Sequence, residues 1–480
     1  MLLMLHFSCS VMKRAAALAV AVSAIGPASA FDAGPHQDLM QSAMDRLAFS
    51  PDAIGAARIN NWMVDYYSNI GAFQAQLGRL HFDILPTTHN VKVYWGKLTD
   101  NTRRALQRAA IANDPYKALS LLGMSLHAVQ DFYTHSTWVE THPRTGGFRA
   151  ETYFTNPPTD DIRPNRGVYT GRYPNSGSNA AVYHGSYFWG VNHDNYNRPK
   201  NDEAIVFAYS ATVQWIRAAA EWVESVKPGF FLQMTSFSDP TNRAVMTRDL
   251  GYSYYISLWI KAPETRFTPL ADGRWKAFGS GDYVNYANTQ VSWFDTPPDN
   301  FTMNFDAPRF WFSELTPGLD NVDGLIPAIP PLPRPDLFRR AIIVRTLRVR
   351  DDTWTGIDTT SKADFFAALT IAGQTIVEPT AQDVADLSPL WNTIRFVPSS
   401  SVNIPISYTL WEEDVSFDGT VNGTNDLCDI NPARGRFGLN FRFNVSTHNN
   451  TGDVRGVFDS PSSVFTSSGN EGNQSSIWFY

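Results

Sequence analysis

Cysteine is nearly missing from this 480-residue chain, which contains only Cys9 and Cys428. At most one internal disulfide can form, so a densely stapled scaffold is excluded. Charge is also scarce, at 18% Asp, Glu, Lys and Arg against about 25% in ordinary globular proteins. There is no positive excess, since 39 Lys and Arg face 46 Asp and Glu for a net charge of −7. A general DNA-binding surface needs cations to neutralise phosphate, so that class is disfavoured. What the chain does have is 43% hydrophobic and 13% aromatic residues. That is too apolar for a disordered polymer and enough for two or three packed domains.

The N-terminus reads as a targeting segment. Residues Met12–Ala30 carry Lys13 and Arg14, an apolar run from Ala15 to Ile25, and a closing Ala28-Ser29-Ala30. A basic start, a short apolar stretch and small residues before a cleavage point make a secretory signal peptide. Cleavage before Phe31 removes two positive charges and Cys9, taking the net charge from −7 to −9 and leaving Cys428 alone. No later stretch approaches the roughly 18 uninterrupted apolar residues of a membrane-spanning helix. The expectation is an exported protein, secreted or periplasmic, peripheral on membranes at most.

The fold class expected is multidomain α and β: an N-terminal all-α metal-binding domain and a C-terminal β-sandwich. Residues 31–227 show apolar spacings of three and four, as in PYKALSLLGMSLHAVQDFYTH, the helical period. A Gly-, Pro- and Asn-rich stretch from Pro143 to Pro199 interrupts them as irregular loops. Residues 228–323 form an unassigned connecting region, partly helical. Residues 324–336, with Pro327, Pro330, Pro331, Pro333 and Pro335, read as a stiff linker. Residues 337–480 hold short alternating runs such as AIIVRTLRVR and NIPISYTLW, the pattern of a β-sandwich.

Eight of the nine histidines after position 30 lie between His36 and His193. In LHAVQDFYTHS, His127, Asp131 and His135 recur every four residues, which spans about 80° of one helix face. Two imidazoles and a carboxylate there can share one metal ion or bridge two. A polar helix stripe with two structural histidines is the alternative. Zinc is the default for such N and O ligands without a redox requirement.

LHAVQDFYTHSTWVE resembles the signature of Het-C-like proteins. These stand with zinc-dependent bacterial phospholipases C and single-strand-specific nucleases, helical enzymes that hold three zinc ions in a cleft. The resemblance covers about 31–227 and implies further ligands. Phe31 would supply its amino group and carbonyl as the new N-terminus, followed by His36 in FDAGPH, Asp65 in NNWMVDYY and His81 in LHFD. Asp65, able to bridge two ions, is the residue expected to be catalytic. The family's closing His-x-x-x-Asp/Glu pair has no counterpart after Ser136. His193 and Asp194 are taken in its place, with Glu203, His184 and His142 behind them. His89 reads as a second-layer partner or an exposed residue, and Trp62, Tyr66, Tyr67, Tyr133 and Trp138 as core.

The C-terminal region carries two acidic loops, Asp351, Asp352, Asp358 and Asp364 in one, and Glu412, Asp414, Asp418, Asp426 and Asp429 in the other. Clustered hard oxygens suit Ca²⁺, with solvated loop acids as the alternative. The Asp358–Asp364 and Glu412-x-Asp414 spacings resemble the calcium- and lipid-binding domain first described in protein kinase C. That implies Asp352, Asp358, Asp364, Glu412 and Asp414 as calcium ligands. A helical zinc domain joined to such a sandwich resembles the layout of bacterial lecithinases. The resemblance therefore implies an exported zinc-dependent phosphodiesterase acting on phospholipid headgroups at a membrane surface. A single-strand nuclease and a non-catalytic Het-C-like surface or membrane-binding protein stay open, nucleic acid being disfavoured by the acidic charge.

Overall fold

A computed structural model of the chain describes residues 33–68, 78–141, 168–171, 193, 200–238, 267–269, 275–277, 311–328, 339–352, 363, 365–378, 386–389, 391–412 and 426–480. The helices are α1 (Ala33–Arg46), α2 (Pro51–Ser68), α3 (Thr88–Ile111), α4 (Pro115–His135), α5 (Trp138–Thr141), α6 (Asn201–Glu224) and α7 (Phe230–Thr235). Local chemistry sets their ends. The Thr87 side chain accepts from Asn90 N to start α3. Asn113, in the left-handed region at φ 59°, turns the chain toward Asp114. That carboxylate caps α4 by accepting from Lys117 N at 2.9 Å, with Pro115 in the first turn, where its missing N–H costs nothing.

Helix α4 is the axis of the helical part. Every residue from Ala118 to His135 is buried, so it packs on all sides rather than along one stripe. It crosses α2 at Gly123, where an added Cβ would stand 2.1 Å from the Ala57 carbonyl oxygen. Asn61 Nδ2 bridges the same crossing by donating to Gly123 O at 3.2 Å. Gly123→Ala is therefore expected to destabilise the protein by about 1–3 kcal/mol through overpacking, read as a lowered Tm in thermal melts. An unchanged Tm would mean the helices can part without cost. Phe230, Met234, Trp311, Phe312, Leu315 and Leu319 lie in the same apolar core as α4 and α6. Segments on both sides of 239–310 thus complete the helical body. Among the described residues no helix is long and apolar enough to cross a membrane.

The C-terminal part is built from antiparallel strands in two sheets, preceded by a separate hairpin of β1 (Phe267–Pro269) and β2 (Trp275–Ala277). One sheet contains β3 (Arg339–Asp351), β6 (Asp386–Leu387), β7 (Trp391–Pro398), β13 (Phe465–Ser468) and β14 (Ser475–Phe479), in the order β13-β14-β3-β6 with β7 also on β3. The other is made of β4 (Phe365–Ile371), β5 (Gln374–Val377), β8 (Asn403–Glu412), β9 (Asp426–Cys428), β10 (Leu439–Asn444), β11 (Asn449–Gly452) and β12 (Gly456–Val457). It runs β12-β11-β10-β8-β4-β5, with β9 on β8. Alternation along β4 sends Phe365, Ala367, Leu369 and Ile371 inward. They meet Ile342, Val349 and Ile477 of the facing sheet in one core, the arrangement of a sandwich. The fold class is thus α plus β, helices first and sheets second, as the two periodicities imply.

Strand β7 behaves differently. Trp391 to Val397 are all buried. Trp391 and Val397 belong to the sandwich core, while Ile394 and Phe396 belong to the helical core. Polar contacts reinforce the seam. Ile394 N donates to Asp38 Oδ2 at 2.6 Å, Arg395 pairs with Asp45 at 2.7 Å, and Tyr209 stacks on Phe396 at 3.6 Å.

Candidate metal centre

Four side chains from three parts of the chain converge beside α4. His127 and Asp131 project from neighbouring turns of that helix, as their spacing requires. His36 comes from the first turn of α1, and His81 follows a 3₁₀ turn at Gly78–Leu80. Asp131 stands in the middle. Its Oδ1 lies 3.1 Å from His36 Nε2, and its Oδ2 lies 3.1 Å from both His81 Nδ1 and His127 Nε2. Those two imidazole nitrogens are 3.2 Å apart. His36, His127 and Asp131 are all fully buried, and His81 nearly so.

The triangle of Asp131 Oδ2, His81 Nδ1 and His127 Nε2 has edges of 3.1, 3.1 and 3.2 Å. Ligands on bonds of about 2.0–2.2 Å in a tetrahedron are separated by about 3.3 Å. His36, His127 and Asp131, all buried, also offer ligand atoms within 4.8 Å of one another, a cluster that can hold a metal ion. His36 gives a second reason. The Gln130 amide donates through Nε2 to Thr212 Oγ1 at 3.0 Å, which leaves its oxygen to accept from His36 Nδ1 at 2.6 Å and from Asn61 at 3.3 Å. The proton of neutral His36 is thus on Nδ1, and the lone pair of Nε2 faces a carboxylate oxygen. Two acceptors at 3.1 Å repel unless a cation, proton or metal, sits between them.

Electrostatics favour the metal-ready state. Burial drives the His127 imidazole down to about 3, against the opposing charge of Asp131, so it offers lone pairs at neutral pH. Burial alone would raise Asp131, but the histidines around it, His127 first and then His135, hold it well below the usual carboxylate range. Tyr94 registers the resulting negative field. Its phenol is raised first by burial and then by Asp83 and Asp131.

Gln130 can be tested separately because it fixes the tautomer of a prospective ligand. Gln130→Leu is expected to weaken metal binding about 10- to 100-fold, measured by competition with a chromogenic chelator. Wild-type affinity in that variant would remove Gln130 from the site.

His135, the last member of the ladder, turns elsewhere. Its Nδ1 lies 3.0 Å from Asp83 Oδ1 and 2.9 Å from the His81 carbonyl oxygen. Asp83 sits in a strained segment, flanked by Phe82 at φ 57° and Ile84 at φ 60°. Such non-glycine backbone costs about 1–3 kcal/mol per residue and persists where packing enforces it. Here the Phe82 ring is buried against Tyr94, Trp95 and Phe132 at centroid distances of 4.3, 5.4 and 4.9 Å. The reversal of backbone hand places His81 and Asp83 together beside α4.

His193 is also brought in. Its N donates to Thr134 O at 3.1 Å, and its Nε2 lies 3.0 Å from Glu140 Oε1. Burial raises Glu140, but the hydrogen bond and charge of His193, with Lys200 nearby, leave it below the usual range. His193 thus pairs with a residue of α5. Sequence reading missed Asp83, Gln130 and Glu140. For Asp83 the signal was the His-x-Asp in LHFD, and for Gln130 its place beside Asp131.

Phe31, His142, His184 and Asp194 lie outside the described residues, as does the Asp65 side chain, though α2 carries its backbone. The side chains of Trp62, Tyr66 and Tyr67 are likewise outside them. Tyr133 and Trp138 are buried core, as expected. His89 is exposed and meets the Gly324 carbonyl oxygen at 3.1 Å. Of the acidic loop residues, Asp358, Asp364, Asp414 and Asp418 lie outside the described residues. Asp352 pairs with Arg350 at 2.6 Å and accepts from Ser476. Glu412 is buried and stands opposite Asp426 in the β8–β9 register. Asp429 accepts from the backbone N–H groups of Asn431, Asn470 and Glu471, a structural role. Cys428 is buried, and burial pushes its thiol up.

Residues 82–146 match the family described as the VWA7 N-terminal domain. That span includes Asp83, Gln130, Glu140 and the whole His127–Asp131–His135 ladder, and excludes His36 and His81. No curated protein matches the chain. Among solved structures, human group IVD cytosolic phospholipase A2 is similar at 16% identity over 29% of this chain, with a TM-score of 0.19. The same enzyme in complex with methyl gamma-linolenyl fluorophosphonate gives 16% identity and a TM-score of 0.18. The chain spans 16% of the length of that enzyme. Likeness at this level bears on neither fold nor activity.

Proposed function

We propose that this chain is an exported zinc-dependent phosphodiesterase that hydrolyses phospholipid headgroups. The observation that carries the reading is the Asp131 carboxylate, one oxygen facing His36 and the other facing His81 and His127, all at 3.1 Å. That donor set of imidazoles and carboxylate, dry and preorganised, fits zinc. Bound zinc supplies Lewis acidity toward a phosphate oxygen and acidifies a coordinated water. His36, His81, His127 and Asp131 would hold it, and Gln130 orients His36. Asp83 and Glu140 have side chains 12% and 36% exposed, unlike the buried cluster. His135 and His193 would extend the donor set beside them, with Asp194 next to His193 in sequence, and the Het-C-like resemblance adds Phe31 and Asp65, with Asp65 as the catalytic carboxylate. Calcium at the sandwich end near Asp352 and Glu412, with Asp358, Asp364 and Asp414, would dock the protein on lipid. The net charge of −9 after export favours lipid over nucleic acid.

A second reading has its own support. Complete burial of His36, His127 and Asp131 is the mark of closed, structural metal sites, which fits a non-catalytic scaffold. One experiment separates these readings. Metal-replete protein is analysed for zinc and assayed on phosphatidylcholine vesicles and on single-stranded DNA. Zinc with phosphocholine release is expected, abolished by chelator. Zinc without hydrolysis supports the scaffold, cleavage of DNA alone supports a nuclease, and absence of metal overturns the site.

A further inference from the structure

In the C-terminal part, the sandwich does not close at one end. Between β3 and β14 on one sheet and β8 and β10 on the other lies a cavity of about 610 Å³. Facing sheets normally fill their roughly 10 Å gap with interleaved side chains. Ile342, Val344, Ile406, Phe441 and Phe479, buried in the sandwich core, form the apolar border of the cavity. The volume falls in the range of small-molecule sites, which are mostly apolar with a few placed polar groups.

Those polar groups are cationic on balance. Arg339, Arg340 and Arg345 border the cavity at the start of β3. Asp202 of α6 and the Tyr480 hydroxyl already engage Arg345, and His448 pairs with Asp459 at 2.6 Å on the opposite side. Setting those pairs aside leaves Arg339 and Arg340 as the excess charge at the mouth among the described residues. Burial first, and then the charges of Arg46 and Arg395, lower the Arg339 guanidinium, so an anion beside it would be favoured. An apolar slot with two guanidinium groups at its entrance matches a single-chain amphiphile with an anionic end. Arginine forks suit a carboxylate.

We propose that this cavity binds a long-chain fatty acid, its acyl chain between the two sheets and its carboxylate at Arg339 and Arg340. The test is isothermal titration of the full-length protein with oleate below its micelle concentration. One oleate per chain is expected, with methyl oleate binding at least tenfold more weakly. Arg340→Glu changes an exposed side chain and Val445→Trp narrows the cavity at its half-buried rim. Each is expected to weaken oleate binding at least tenfold, with far-UV circular dichroism and Tm unchanged in the arginine variant. The proposal is overturned if wild-type protein shows no saturable oleate binding, or if both variants bind oleate as wild type does. The readout involves no metal, so this proposal and the phosphodiesterase reading fail separately.

Discussion

Asp131→Asn is expected to strip the protein of its metal and to lower phosphodiester hydrolysis at least a thousandfold. The substitution keeps the shape of the side chain but replaces one oxygen with an amide that has no lone pair to offer. It also deletes the negative charge that three histidines surround. A metal held by neutral imidazoles alone loses several kcal/mol of electrostatic stabilisation, and about 4 kcal/mol corresponds to a factor of a thousand. The metal-free variant should melt below metal-free wild type, because the folded chain favours an ionised carboxylate at this position. Elemental analysis, turnover on phosphatidylcholine and a thermal melt of metal-free protein check the three parts. Retained metal with wild-type turnover would show that Asp131 is not at the centre of the site.

Stability should fall between pH 5 and pH 8, and Glu378→Gln should remove much of that fall. Glu378 is buried, accepts from Thr393 Oγ1, and is raised to about 7 by burial, against the attraction of Arg58. Its unfolded value is near 4.5. Between those values the folded chain binds more protons at this position than the unfolded chain does. Stability therefore decreases as pH rises through the window and levels off above about 7. A shift of that size corresponds to about 3 kcal/mol. Asp38, raised by burial and by the charge of Glu378, adds in the same direction. Chemical denaturation at pH 5 and pH 8 should show the wild type losing stability at the higher pH. The Glu378→Gln variant should be about 3 kcal/mol more stable than wild type at pH 8 and close to it at pH 5. Equal slopes in both proteins would locate the pH dependence elsewhere.

Much of the fold was legible because it rests on periodicity. The spacing in LHAVQDFYTH required a helix and put His127 and Asp131 on one face, and the alternation in NIPISYTLW required a strand. The centre was legible only in part. Asp83 escaped because Phe82 and Ile84 adopt left-handed backbone, a conformation with no repeating signature and one that bulky side chains seldom show. Gln130 escaped because a neutral amide beside a carboxylate reads as generic polarity until its oxygen is seen on His36. Glu140 escaped because its partner His193 is more than fifty residues away. Strand β7 was recognisable in TIRFVP, yet its burial on both faces depends on α1, which no local pattern links to it.

That link also sets the order of events as the chain is made. The bond from Ile394 N to Asp38 joins residues 356 positions apart. Helix α1 emerges early from the ribosome, but the strand that covers it arrives only when most of the chain has been synthesised. Closing so long a loop is entropically costly and kinetically slow. Until then the Asp38 carboxylate and the apolar face of α1 await a late partner, and that interval is when the newborn chain is most open to aggregation or chaperone capture.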